Sequence, residues 1–125
     1  NLADVYGRMK EWNLKVKYLK EAMKNPEYTS PYLYTMAQHS LGVALGKMNN
    51  HAEAIKNFDE IIDRELAKTY LSNSLVVAAR TKKISLERTN PKLSKTFLDE
   101  LIEKCRQYNN AEHIVEELIH IRDEE

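Results

Sequence analysis

Side chains that could carry out chemistry are few in this sequence, and Cys105 is the lone cysteine. A cysteine becomes a nucleophile when a nearby base or cation stabilises its thiolate form. Lys104 and Arg106 adjoin it, but neighbouring positions of a helix point in different directions. We therefore interpret Cys105 as a buried core thiol. Because reducing compartments disfavour disulfides, a lone cysteine also favours a cytoplasmic location.

Two histidine–glutamate pairs lie near the end of the chain. His113 and Glu117 are four residues apart, and so are Glu116 and His120. Residues at this spacing face each other on a helix, where they can form an exposed ion pair or contribute two metal ligands. No third ligand follows at metal-binding spacing. The sequence therefore predicts ion pairs, with no metal and no cofactor.

The usual arrangements of an enzyme active site are missing. Only three glycines are present, and none stands in a phosphate-binding loop such as GxGxxG. No nucleophile adjoins a base, and no pair of carboxylates stands out. We expect no catalytic residues and no enzymatic activity. We also expect no membrane span, because no apolar run approaches ~18 residues.

The densest run of positive charge lies in the third quarter of the chain. It comprises Arg80, Lys82, Lys83, Arg88, Lys92 and Lys95. Nucleic-acid binding would also call for aromatic platforms or an outward recognition helix, and neither is evident here. The nineteen basic and nineteen acidic residues of the chain cancel. A solvated face or an acidic protein partner is therefore favoured over nucleic acid.

The side chains discussed above must be positioned by helices. Residues 41–62 show the clearest helical periodicity of apolar residues. Two amphipathic helices are predicted there, separated at Asn49-Asn50, because Asn tolerates left-handed backbone angles and favours turns. Leu41 and Leu45 mark the apolar side of the first helix, and Ala54 and Phe58 mark that of the second.

Similar patterns recur before and after this hairpin. Leu2, Ala3 and Tyr6 precede Leu41, Gly42 and Leu45 by 39 residues, whereas Leu75-Val76 follows Leu41-Gly42 by 34 residues. We therefore predict an all-α chain of three hairpins and a last helix, seven helices in all. The predicted bounds are repeat 1 at 1–27, repeat 2 at 31–66, repeat 3 at 68–107, and a capping helix at 111–124. Within repeat 3, a new helix is predicted to begin at Pro91 after Asn90 and to end at Gln107, and Asn109-Asn110 then breaks the chain. Because the pattern is already under way at Asn1, we expect the single domain 1–125 to be a fragment of a longer protein.

The spacing of Leu41-Gly42, Ala54, Phe58 and Ile61 resembles the tetratricopeptide repeat, a helix–turn–helix unit of about 34 residues. The resemblance implies a right-handed α-solenoid in which the first helix of each repeat lines a concave, peptide-binding side. When the positions of the tetratricopeptide repeat are transferred to this sequence, a set of candidate ligand-binding residues lies on that side. They are Asp4, Arg8, Met36, His39, Val43, Lys47, Tyr70, Asn73, Val77, Arg80 and Thr81.

Arg8, Lys47 and Arg80 would form a row of cations on this side, with Met36, Val43 and Val77 between them. Such a surface suits a protein or peptide partner with an acidic or carboxylate end and apolar side chains. The match to the family's carboxylate clamp is incomplete, because only Asn73 supplies an asparagine. The alternative is that these charges merely keep the surface soluble.

Two further alternatives remain open. Leu98 and Leu101 follow Phe58 and Ile61 by 40 residues. Repeat offsets of 39 and 40 residues resemble those of the tetratricopeptide domains of Gram-positive peptide-sensing regulators, including Rap-type phosphatases and transcription factors. That resemblance implies a C-terminal sensor domain that binds a signal peptide. The other alternative is a homodimer in which the first hairpin stacks on a second copy of the chain.

Overall fold

The computed structural model describes residues 2–25 and 30–124, with the side chains of the first helix described from Glu11 onward. These residues form six α-helices and no strand, which confirms the predicted all-α class. The helices are α1 (Leu2–Met23), α2 (Pro31–Lys47), α3 (His51–Leu66), α4 (Asn73–Thr89), α5 (Pro91–Cys105) and α6 (Glu112–Asp123). No helix in the described ranges combines the length and apolar character needed to cross a bilayer.

Helix α1 differs from the sequence-based prediction. Its 22 residues are continuous, so the hairpin expected within residues 2–24 is wrong, and the described chain has six helices instead of seven. The 39-residue offset places Lys10-Glu11 where the next repeat has Asn49-Asn50. Lys and Glu are strong helix formers, whereas Asn favours turns. Apolar spacing was similar in the two segments, but the first lacked a chain break.

The chain divides into two compact units, residues 1–57 and residues 58–125. In the first unit, α1 packs against α2. The beginning of α3 is joined to both helices by polar contacts. Lys20 Nζ of α1 lies 3.0 Å from Glu53 Oε1, and the Gln38 amide of α2 donates a hydrogen bond to Asn57 Oδ1 at 3.3 Å.

The turn between α2 and α3 follows the Schellman pattern, in which a left-handed residue ends a helix. Asn49 has φ of 63°. Its amide donates to the Gly46 carbonyl at 3.0 Å, and the Asn50 amide donates to the Leu45 carbonyl at 2.9 Å. These bonds satisfy carbonyl groups that a helix end would otherwise leave unpaired. The predicted break at Asn49-Asn50 is therefore confirmed.

In the second unit, a single residue joins α4 to α5. Asn90 caps the end of α4 and the start of α5, and Pro91 occupies the first position of α5. The two helices pack against each other, and α6 packs against both. The sequence predicted the break before Pro91 and another at Asn109-Asn110, where Asn110 has φ of 57°.

The apolar positions shared by the predicted repeats are buried. Leu41, Phe58, Leu75 and Leu98 are at most 4% exposed. In the second unit the core is formed by one side of each helix. Its residues are Phe58, Ile61, Ile62, Leu75, Val76, Ala78, Ala79, Leu86, Leu98, Leu101, Ile102, Cys105, Ala111, Ile114, Val115, Leu118 and Ile121.

Polar contacts hold the connections of the second unit. The Ser72 hydroxyl donates to the buried Glu65 carboxylate at 3.0 Å, and Lys68 Nζ lies 3.1 Å from the same group. The Tyr108 hydroxyl donates to the Leu66 carbonyl at the end of α3. Buried polar groups destabilise a fold unless they are paired, so these contacts define where each connection lies.

Candidate binding site

The cysteine and the histidines considered for chemistry lie in the core or in ion pairs. Cys105 is fully buried, and burial raises the pKa of its thiol to about 11. His113 Nε2 lies 2.8 Å from Glu117 Oε1, as the spacing indicated, whereas His120 lies 3.6 Å from Glu124. Among the described side chains, no group of three or more His, Cys, Asp or Glu could hold a metal ion.

The basic run of α4 and α5 does not form a uniform charged surface. Lys83 is buried and donates to the Ile121 and Glu124 carbonyls at the end of α6. Lys82 pairs with Asp59 of α3 and lies 4.0 Å from the centre of the Phe97 ring. Both lysines therefore stabilise the packing of the second unit, which further weakens the case for nucleic acid.

The outward side of α4 carries the best-defined candidate site. Asn73, Val77, Arg80 and Thr81 line a shallow pocket of about 300 Å³. Val77, Arg80 and Thr81 follow Asn73 by four, seven and eight residues, so one side of the helix presents all of them. The opposite side, represented by Leu75, is buried in the core. All four are among the residues that the tetratricopeptide register placed on the concave side.

Two more residues complete the lining, and the sequence did not indicate either of them. Val76 is only 4% exposed and lines the pocket from α4, whereas Glu117 lines it from α6. The pocket therefore combines a cation, a carboxylate, an amide and a hydroxyl around two valines. Only the packing of α6 on α4, which a single sequence does not specify, brings Glu117 to this site.

Arg80 is the residue of the pocket best suited to bind an anion. Within the part of the chain that the structure describes, its guanidinium has no hydrogen-bond or ion-pair partner. By contrast, Arg122 of the same unit lies 3.0 Å from both Asp99 and Asp123. An arginine with five free donors can form a two-pronged contact with a carboxylate.

The exposed side of α4 continues beyond the pocket. Val77 is 45% exposed and Ile84, seven residues later, is 49% exposed. The positions taken from the tetratricopeptide repeat ended the candidate site at Thr81, so the prediction did not include Ile84. The signal was nevertheless present, because two helical turns separate Ile84 from Val77.

The candidate residues of α2 form a comparable row in the first unit. Met36 is 51% exposed, His39 and Val43 are half-buried, and Lys47 is exposed. Burial lowers the pKa of His39 below its ordinary value, because desolvation disfavours the charged imidazolium. The inward side of the helix is buried at Leu41 and Leu45.

The remaining predicted site residues are Asp4, Arg8 and Tyr70. Asp4 and Arg8 belong to the part of α1 whose side chains lie outside the described residues. Tyr70 is 63% exposed in the connection before α4 and is not part of the pocket lining. Of the described candidates, those on α4 line one pocket, and Tyr70 does not.

The chain matches no protein-family model, no curated protein and no solved structure closely enough to assign a family. Function must therefore be argued from the residues themselves.

Proposed function

We propose that this chain is a non-catalytic interaction domain of the tetratricopeptide-repeat type. It binds a peptide, or a segment of a partner protein, on the exposed side of α4. The observation that carries the proposal is the outward side of α4, where Val77 and Ile84 are exposed beside the unpaired Arg80.

An exposed apolar row of this kind contributes little to folding. Full burial of a side chain such as Ile or Val yields roughly 1.5–3 kcal/mol, and about half of that is forgone while these residues stay half exposed. A partner that covers them would recover this free energy. Arg80 supplies the polar contact that gives such a surface selectivity.

Within the second unit, the packing of α6 on α4 and α5 supports the proposed repeat architecture. Helices α2 and α3 are joined by a tight turn, α4 and α5 are joined through Asn90, and α6 packs on the preceding pair. In a stack of helical hairpins, the first helix of one repeat packs against the preceding hairpin in this way. A repeat array without catalytic groups acts by presenting a surface.

The experiment starts from peptides selected on the purified chain from a random display library. The affinity of the best peptide is then measured for the chain and for a variant in which Arg80, an exposed residue of the pocket, is replaced by Ala. We expect binding to weaken by at least ~1 kcal/mol, while the melting temperature stays within a few degrees, because exposed charges contribute little to stability.

A matched control replaces Arg88, an exposed arginine of the same helix outside the pocket, by Ala. This variant keeps the same net charge as the test variant, and we expect its affinity to stay unchanged. Equal affinities for the test variant and the unmodified chain would reject the proposed surface.

A further inference from the structure

The pocket on α4 carries opposite charges on two different helices. Arg80 lines it from α4, and Glu117 lines it from α6. The lining between them includes Val76 and Val77. A ligand that covers this pocket therefore removes water from one cation and one carboxylate together.

Burial of a charge without an opposite charge is costly. A segment with acidic groups alone would satisfy Arg80 but would bring a like charge towards Glu117. A segment with basic groups alone would satisfy Glu117 and leave Arg80 unpaired. Charge complementarity thus selects a ligand that carries both signs.

Glu117 can accept a ligand cation although His113 already pairs with it. The pair joins His113 Nε2 to Oε1 of the carboxylate at 2.8 Å. A carboxylate offers about four lone-pair positions on two oxygens, so a second donor can bind. The His113 side chain is 75% exposed, so it can also move aside into solvent.

From these contacts we infer that the pocket binds a peptide segment in which an apolar residue is flanked by an acidic and a basic residue. The acidic side chain pairs with Arg80, the basic one pairs with Glu117, and the apolar one covers the valines. This inference rests on the proposed function and narrows it, because the sequence alone suggested an acidic or carboxylate end with apolar side chains and no basic group.

The test uses four synthetic peptides with neutral, capped ends and a central pair of leucines. Their flanking residues are Asp and Lys, Lys and Asp, two Asp, or two Lys. Binding to the full chain is measured by titration followed with amide chemical shifts. We expect one of the two mixed-charge peptides to bind at least about fivefold more tightly than either single-sign peptide.

Two substitutions then test which residue of the pocket pairs with each charge of the peptide. Arg80→Gln should reduce the binding of the mixed peptide at least about fivefold. Glu117→Gln should raise the affinity for the peptide with two Asp residues, because a repulsive charge is removed. A purely structural role of Glu117 would not produce such a gain.

The chain offers a matched control for each substitution. Arg88→Gln changes an exposed arginine of the same helix, and Glu116→Gln changes the neighbouring exposed glutamate of α6. Neither residue lines the pocket, so both variants should bind all four peptides as the unmodified chain does.

Two results would overturn the inference. One is that the peptide with two Asp residues binds the unmodified chain as tightly as the mixed peptides do, with no gain in Glu117→Gln. The other is that none of the four peptides binds. In either case the library-selected peptide still decides the proposed function independently.

Discussion

The ammonium group of Lys83, in the middle of α4, donates a hydrogen bond to the main-chain carbonyl of Ile121 in the last turn of α6. It also donates to the Glu124 carbonyl at 3.2 Å. The last carbonyls of a helix lack partners within the helix and carry a partial negative charge. One buried lysine therefore caps α6 and fixes it on α4, the arrangement that brings Glu117 to the pocket.

This contact predicts that Lys83→Met destabilises the protein. Methionine keeps much of the apolar stem but donates no hydrogen bond, so the carbonyls at the end of α6 lose their charged partner. We expect a loss of about 2 kcal/mol in the free energy of unfolding, from the usual strength of hydrogen bonds to charged groups. Urea unfolding followed by circular dichroism measures it. Arg88→Met on the exposed side of α4 should change stability by less than about 0.5 kcal/mol, and an equal loss in both variants would contradict the role of Lys83.

The burial of Cys105 predicts a slow reaction with thiol reagents. Because its pKa is raised to about 11, only about one thiol in a thousand is ionised near pH 8, and the thiolate is the reactive form. We expect negligible labelling by a disulfide reagent in the folded protein and rapid labelling in urea. Similar rates in the two conditions would show that Cys105 is accessible.

His39 predicts a loss of stability in mild acid. Its pKa is lowered in the folded protein, so below about pH 6.5 the unfolded chain takes up the proton more readily. The contribution of neutral His39 to the stability of the fold is complete above that pH. It is lost as the pH falls through the lowered pKa of the folded protein. Unfolding free energies measured across this range should decline less steeply for His39→Gln. Identical pH profiles for the two proteins would exclude this contribution.

The left-handed conformation of Asn49 predicts a different response to Ala and to Gly. The left-handed conformation costs Ala roughly 1–2 kcal/mol; it costs Asn less, because its short polar side chain can form local hydrogen bonds, and it costs Gly little. We therefore expect Asn49→Ala to lower the melting temperature and Asn49→Gly to leave it unchanged or raise it. Asn109→Ala serves as control, because Asn109 does not have a positive φ. Equal melting temperatures for the Ala and Gly variants of Asn49 would contradict the assignment.

Local signals account for the parts of the fold that the sequence predicted well. Asparagine pairs and Asn90-Pro91 mark chain breaks, and the observed ends of α5 and α6 lie within two residues of the predicted ones. The hairpin predicted within α1 was wrong because no such local signal is present there. Apolar spacing alone suggested a hairpin there, although Lys10-Glu11 lacked the turn chemistry that Asn49-Asn50 provides.

The candidate site was predictable only where it lies on one helix. Asn73, Val77, Arg80 and Thr81 share a side of α4, and helical periodicity suffices to group them. Glu117 is 37 positions beyond Arg80 and reaches the pocket through the packing of α6, which no spacing rule reveals. The prediction of a ligand with a carboxylate group therefore took account of Arg80 but not of Glu117.

The most direct test of the proposed binding surface is amide chemical-shift mapping of the isotope-labelled chain with a library-selected peptide. The account predicts that the largest shifts occur at the exposed residues of α4, around Val77 and Arg80, with a further shift at Glu117. A set of shifts centred instead on α5, around the exposed Leu93, would contradict it.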